Sequence, residues 1–113
     1  MTILVVDDDL RILNMTADVL RDQGLDVVQA ASGTAALQLL ATTPGIDLLL
    51  SDVLMPGQTG PNLADAATAI YPHLRVVFMS GDTGGIPPAA FKGRTVVAKP
   101  FTIATLLSAI EQA

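Results

Sequence analysis

Ile3-Leu4-Val5-Val6-Asp7-Asp8-Asp9 is the stretch on which the fold turns. An apolar run that passes directly into carboxylates reads as a buried strand with acids at its carboxyl end. Three later segments repeat the arrangement: Leu48-Leu49-Leu50-Ser51-Asp52, Val76-Val77-Phe78-Met79-Ser80 and Val96-Val97-Ala98-Lys99-Pro100. Each apolar run closes on a group with chemistry to offer. A parallel sheet covered by helices on both faces would gather these endings along one edge.

Between the runs the apolar residues switch to helical period. Leu10, Leu13, Ala17 and Leu20 mark a first helix that Gly24 stops, and Val27-Val28 reads as a short second strand. Ser32 caps a second helix carrying Ala36, Leu37 and Leu40, ended by Pro44-Gly45. Met55-Pro56-Gly57 reads as a loop. Leu63, Ala66, Ala67 and Ile70 mark the third helix, and the last runs from about Thr102 with Ile103, Leu106, Leu107 and Ile110 on its buried side. Strict strand–helix alternation predicts an α/β domain with right-handed crossovers. One segment breaks the rule. Gly81 to Gly93 holds two adjacent prolines and four glycines, so the fourth helix is expected to be short, displaced or disordered, starting at Pro88 or later.

The 113 residues suffice for one domain, taken as 1–113. Half are apolar and none is cysteine, which excludes disulfides and thiolate metal sites. Eleven acids against six bases give a formal charge of −5, which argues against direct nucleic-acid or anionic-membrane binding. No apolar run approaches the roughly 18 residues of a membrane span. A soluble, cytoplasmic protein without a signal peptide is expected, and the Met1 start favours a free-standing chain.

The acids after the first strand and Asp52 after the third would flank the crevice where the strand order reverses. Hard oxygen donors suit Mg²⁺. Asp8 and Asp52 are assigned as direct ligands, Asp7 as acting through a water, and the backbone carbonyl of Leu54 as completing the protein's share. Asp9 can serve simply as the helix cap. A central carboxylate at such a site can accept a phosphoryl group as an acyl phosphate, which makes Asp52 the nucleophile. Ser80 can donate to a phosphoryl oxygen. Lys99 can pair with another oxygen or, before transfer, with Asp52.

The motifs Val5-Val6-Asp7-Asp8-Asp9, Ser51-Asp52-Val53-Leu54-Met55-Pro56-Gly57, Phe78-Met79-Ser80-Gly81 and Lys99-Pro100-Phe101 closely resemble the receiver domain of two-component response regulators. The resemblance covers the whole chain. It implies the flavodoxin-like (βα)5 fold with strand order 2-1-3-4-5. It further implies Mg²⁺-dependent transfer from a phosphohistidine on a histidine kinase or histidine phosphotransfer protein to Asp52. That modification would then switch binding of a downstream protein target by a monomer or weak dimer. Such a module catalyses only its own phosphorylation and dephosphorylation. Family members typically have a cis peptide after the lysine.

Two departures stand out. Receivers usually carry Phe or Tyr three residues before the lysine, where this chain has Val96. With the poor fourth helix, this points to readout through residues 81–93 or the first helix instead. Leu54 and Asp82 fall at the two variable positions that tune phosphoryl lifetime in the family.

Haloacid dehalogenase-type phosphatases offer a rival, since Asp7-x-Asp9 follows a strand and Ser80 and Lys99 come later. That reading leaves Asp52 idle and finds no acidic pair after the lysine. A pseudo-receiver scaffold would not need the full set Asp7, Asp8, Asp52, Ser80 and Lys99. An FMN-binding flavodoxin would want a Ser/Thr-rich phosphate loop where this chain has acids.

Overall fold

A computed structural model describes residues 1–113. Five strands form the sheet: β1 (Thr2–Val6), β2 (Asp26–Ala30), β3 (Ile46–Asp52), β4 (Arg75–Ser80) and β5 (Thr95–Ala98). All pair in parallel, in the order 2-1-3-4-5. The helices are α1 (Leu10–Asp22), α2 (Gly33–Thr42), α3 (Gly60–Ile70) and α4 (Ile103–Gln112). This is the flavodoxin-like arrangement expected from the strand–helix alternation.

Two-residue alternation divides the core into two layers. Ile3, Val5, Leu48, Leu50, Val77, Met79 and Val97 face α1 and α4, meeting Leu13, Leu20, Leu106 and Ile110. Leu4, Val6, Leu49, Val76 and Phe78 face the other way, against Ala36, Leu40, Leu63 and Ala67 of α2 and α3. Central strands buried on both faces need unbroken apolar runs, and that is why β1, β3 and β4 read so plainly.

The helix starts are also local chemistry. Asp9, Ser32, Thr59 and Thr102 each accept a backbone N–H of their helix's first turn. Gly24, with φ +83°, turns the chain out of α1. Some expectations at helix ends shift. Ile103, expected on the buried side of the last helix, is 37% exposed, and Leu10 and Ile70, which mark the period of theirs, are 60% and 64% exposed. Each is the first or last residue of its helix. In α3, Ala64 rather than Ala66 completes the buried stripe.

The segment after β4 forms one 3-10 turn, Pro88–Phe91, in place of a fourth full helix. Ile86 packs against the core and Phe91 is buried in it. The Phe91 ring meets Phe78 edge-on, with centroids 5.4 Å apart and planes at 74°, a favourable aromatic geometry. The far end is tied to α3, where Asp65 takes Lys92 Nζ at 2.9 Å and Arg94 Nη1 at 3.6 Å. Lys92 holds the Asp65 carboxyl below its usual pKa. One short turn cannot cover β5, and Val96 is left 38% exposed. No helix is long and apolar enough to cross a membrane.

Candidate functional site

Register brings the strand ends into a row. Val6 lies opposite Ser51, Asp52 opposite Met79, and Ser80 opposite Ala98. Asp7, Asp52, Ser80 and Lys99 therefore stand at the carboxyl ends of four neighbouring strands. The strand order reverses between β1 and β3, the place where open parallel sheets bind their ligands.

Asp7 is fully buried. Its Oδ1 accepts the Asp9 backbone N–H at 2.9 Å and its Oδ2 accepts Lys99 Nζ at 2.9 Å. The same ammonium donates to Asp52 Oδ1 at 3.1 Å, and the Val53 N–H reaches that oxygen at 3.0 Å. Asp52 Oδ2 is left for an incoming group. Asp8 is exposed at the mouth, and one oxygen from each of Asp7, Asp8 and Asp52 falls within 4.8 Å of the others. Asp9 acts as the α1 cap.

Burial pushes the Asp52 carboxyl above its ordinary pKa, the charge of Asp7 adds to the rise, and Lys99 opposes it. Burial works to lower the pKa of Lys99. The hydrogen bond that the ammonium donates to Asp7 and the charges of Asp52 and Asp7 outweigh burial, and the ammonium is held above its usual value. Lys99 is thus the counterion of a crowded carboxylate pair.

Ser80 is buried, and its Oγ has no hydrogen-bond partner. A buried hydroxyl left unpaired is uncommon and asks for an explanation. Here it sits in the same row as Asp52 and Lys99. The Lys99 N–H bonds the Ser80 carbonyl at 2.9 Å, which fixes the two strand ends together. The Lys99–Pro100 peptide is cis.

The loop after β3 is more ordered than its Pro-Gly suggests. Leu54–Met55 and Gln58–Thr59 form a two-residue antiparallel ladder around Pro56-Gly57. Gly60 follows at the start of α3, where a Cβ would sit 2.4 Å from the Asp52 carbonyl oxygen. Only glycine allows α3 to begin this close to the acceptor strand. Leu54, two residues past Asp52, is 38% exposed. Asp82 turns back on its own loop, its Oδ1 accepting the Gly84 N–H at 2.9 Å.

Sequence reasoning missed three neighbours of the site: the Phe91–Phe78 contact, the Asp65 ion pairs, and the packing of Gly84 on Leu54. The glycine-rich segment was the one visible signal for the last.

Comparison with known proteins agrees with this geometry. Residues 3–111 match the family described as response regulator receiver domain. The response regulator receiver protein CpdR of Brucella abortus (strain 2308) is 32% identical over 113 residues, covering 97% of this chain and 93% of CpdR. The sensor kinase CckA of the same strain is 29% identical over 117 residues. The alignment takes in 98% of this chain but only 12% of that much longer protein. Among solved structures, the chemotaxis protein CheY4 of Vibrio cholerae superimposes with a TM-score of 0.89 at 30% identity, covering 98% of this chain and 96% of CheY4. With acids, hydroxyl and lysine aligned on the strand ends of this fold, the chain belongs to the response regulator receiver domains of two-component signalling.

Proposed function

We propose that the chain accepts a phosphoryl group on Asp52 from a phosphohistidine and changes its partner when it does. The observation that carries this reading is the Lys99 ammonium shared by Asp7 and Asp52, with an unpartnered Ser80 hydroxyl beside them. A free Asp52 oxygen attacks phosphorus as the phosphorus–nitrogen bond to the donor imidazole breaks. The imidazole leaves and an acyl phosphate remains. Lys99 then turns from the carboxylates to a phosphoryl oxygen, and the Ser80 O–H donates to another. Catalysis of this kind rests on placement and charge neutralisation. The chain turns over no other substrate.

The donor set fits Mg²⁺: carboxylate oxygens only, crowded, with one carboxylate open to solvent. Asp8 and Asp52 would bind it directly, with the Leu54 carbonyl, and Asp7 through a water. When bound, the ion neutralises carboxylate and phosphoryl oxygens together.

The donor, a histidine kinase or phosphotransfer protein, docks beside the acceptor. Leu10 and Met15 are 60% and 56% exposed there. A cavity of about 280 Å³ lined by Ile12, Met15, Lys99, Pro100 and Phe101 adjoins them. The cysteine-free chain suits a reducing cytoplasm.

The deciding experiment is incubation with a small acyl phosphate, with and without Mg²⁺, followed by intact mass. One phosphoryl adduct that forms only with the ion is expected. No adduct under either condition would refute the reading.

Readout runs through residues 81–93. Val96 has no ring to swing, whereas Phe91 is seated on Phe78, two residues before Ser80 on the same strand. A pull on Ser80 therefore reaches the loop directly. Backbone amide spectra with beryllofluoride should shift most between Gly81 and Gly93. Largest shifts in β5 and α4, with the loop unmoved, would show otherwise.

A further inference from the structure

We propose that the α2–α3 face docks a second copy of this chain, related by a twofold axis that crosses the helices. Whether Asp52 takes phosphate has no bearing on this contact. From Gln29 to Leu74 the chain carries only three charged side chains, Asp47, Asp52 and Asp65. α2 has none at all, whereas α1 carries Arg11, Asp18, Arg21 and Asp22. A helix on the surface of a monomer normally turns a charged face to water. α2 turns Thr34, Gln38, Ala41 and Thr42 outward instead.

Helical period sets which flanks meet. Leu37 and Asn62 both line a cleft of about 440 Å³ between the leading ends of α2 and α3. Thr34 and Ala41 share the flank of Leu37, while Ala66 and Ala69 share that of Asn62, with Ile70 beside them. Asp65 lies on the opposite flank of α3, where Lys92 and Arg94 take it up. No charged side chain of either helix therefore faces the furrow between them. The cleft at its head is firmly built. Gly33 leaves its bare Cα against Gln58 Oε1, which seats the Pro56-Gly57 hairpin on the start of α2. At its foot Ile70 stands 64% exposed.

Charge and shape choose the occupant. A partner with a charged face would strand its charges against helices that offer none in return, so the matching surface is itself uncharged. A second copy brings such a surface. Head and foot are also complementary. An axis crossing the helices runs them antiparallel and lays Ile70 of each copy over the cleft of the other. Ten and eleven residues make the helices about 15 Å long, and the pair is roughly 20 Å across. A face of that size fits a contact below about 1,200 Å² in total, the range of weak and reversible complexes. The chain's charge of −5, carried on other faces, opposes the approach and sets its salt dependence.

The test is sedimentation equilibrium of the full chain up to about 1 mM. Wild type should form a reversible dimer with a Kd of roughly tens to hundreds of micromolar. Ala41→Lys and Ile70→Lys should each raise that Kd at least about tenfold, since a twofold contact meets each new charge twice. Both positions are exposed in the monomer, so the melting temperature should hold. Met15→Lys on α1 and Val96→Lys on β5 add the same charge at other exposed positions. They should keep the wild-type Kd. Raising NaCl from about 50 to 500 mM should tighten the dimer, because screening relieves the repulsion between two acidic chains. A chain that stays monomeric at the highest concentration would overturn the proposal. So would a dimer lost in Met15→Lys or Val96→Lys but kept in Ala41→Lys and Ile70→Lys, which places the contact on another face. A dimer that salt loosens would also overturn it, by placing ion pairs in the contact.

Discussion

Asp52→Asn is expected to abolish the phosphoryl adduct while leaving the fold intact. An amide offers no anionic oxygen to attack phosphorus, and no other carboxylate in the row has a free oxygen in the same place. Asp7 has both oxygens engaged, by the Asp9 N–H and by Lys99. Asp8 stands out in solvent. The loss should exceed about a hundredfold, the scale on which removing one essential group silences a catalytic unit. Thermal melting separates this from misfolding. Asp52 has its folded pKa raised by burial and by Asp7, so the protonated form is the one the fold prefers. The stability associated with it is present below the unfolded pKa and is lost as pH rises through the folded one. At neutral pH the wild-type chain therefore bears a cost that neutral asparagine does not. The variant should melt at or above wild type while taking no label. Asp7→Asn, in contrast, should still label at Asp52, more slowly. Were the adduct to persist in Asp52→Asn and vanish in Asp7→Asn, the nucleophile would sit on β1, as in the dehalogenase-type phosphatases.

The parts of this molecule that the chain spells out are those set by neighbours in sequence. Leu48 to Leu50 announce a strand because a strand covered on both faces reads as an unbroken apolar run. The caps at Ser32 and Asp9 are equally local, a side-chain oxygen meeting an N–H two or three residues on. Asp7, Asp8, Asp52, Ser80 and Lys99 could be collected in advance because a parallel sheet delivers every strand's carboxyl end to one edge. What stayed hidden is non-local. Arg94 reaches Thr68, 26 residues away, and Phe91 reaches Phe78 across a segment whose glycines fix no single path. Neither pairing leaves a periodicity to read. Helix ends were hidden for a related reason. Leu10 and Ile70 obey the helical period but are the first and last residues of their helices, where the period no longer implies burial. The Leu54–Met55/Gln58–Thr59 ladder is too short to carry any alternation at all.

Lys99→Met should cost the protein both stability and phosphoryl transfer, and the two losses should respond differently to a divalent cation. Methionine keeps the apolar stem and removes the ammonium that lies 2.9 Å from Asp7 and 3.1 Å from Asp52. Breaking a buried ion pair from one side costs about 3–5 kcal/mol, because the partner charge is left uncompensated. Asp7 meets that description, whereas the Lys99 and Asp52 side chains keep 17% and 14% exposure. Solvent screening therefore brings the expected cost nearer ~2 kcal/mol. For a domain of this size that is a fall in Tm of roughly 8–12 °C. Two conditions should recover it. Acidification should help, since Asp52, its pKa raised still further without Lys99, protonates as pH falls through the folded value and ends the repulsion with Asp7. Millimolar Mg²⁺ should help as well, raising Tm more in the variant than in wild type. In wild type the ammonium already neutralises the carboxylates, and a cation must compete with it for the same oxygens. Labelling should not recover. With the ion present the variant should still transfer at least about a hundredfold more slowly, the usual loss when a preorganised charge facing the transition state is removed. A variant that melts like wild type without Mg²⁺ and gains nothing from it would mean that Asp7 and Asp52 do not depend on Lys99 for their charge balance. The bridging geometry would then be incidental to the site.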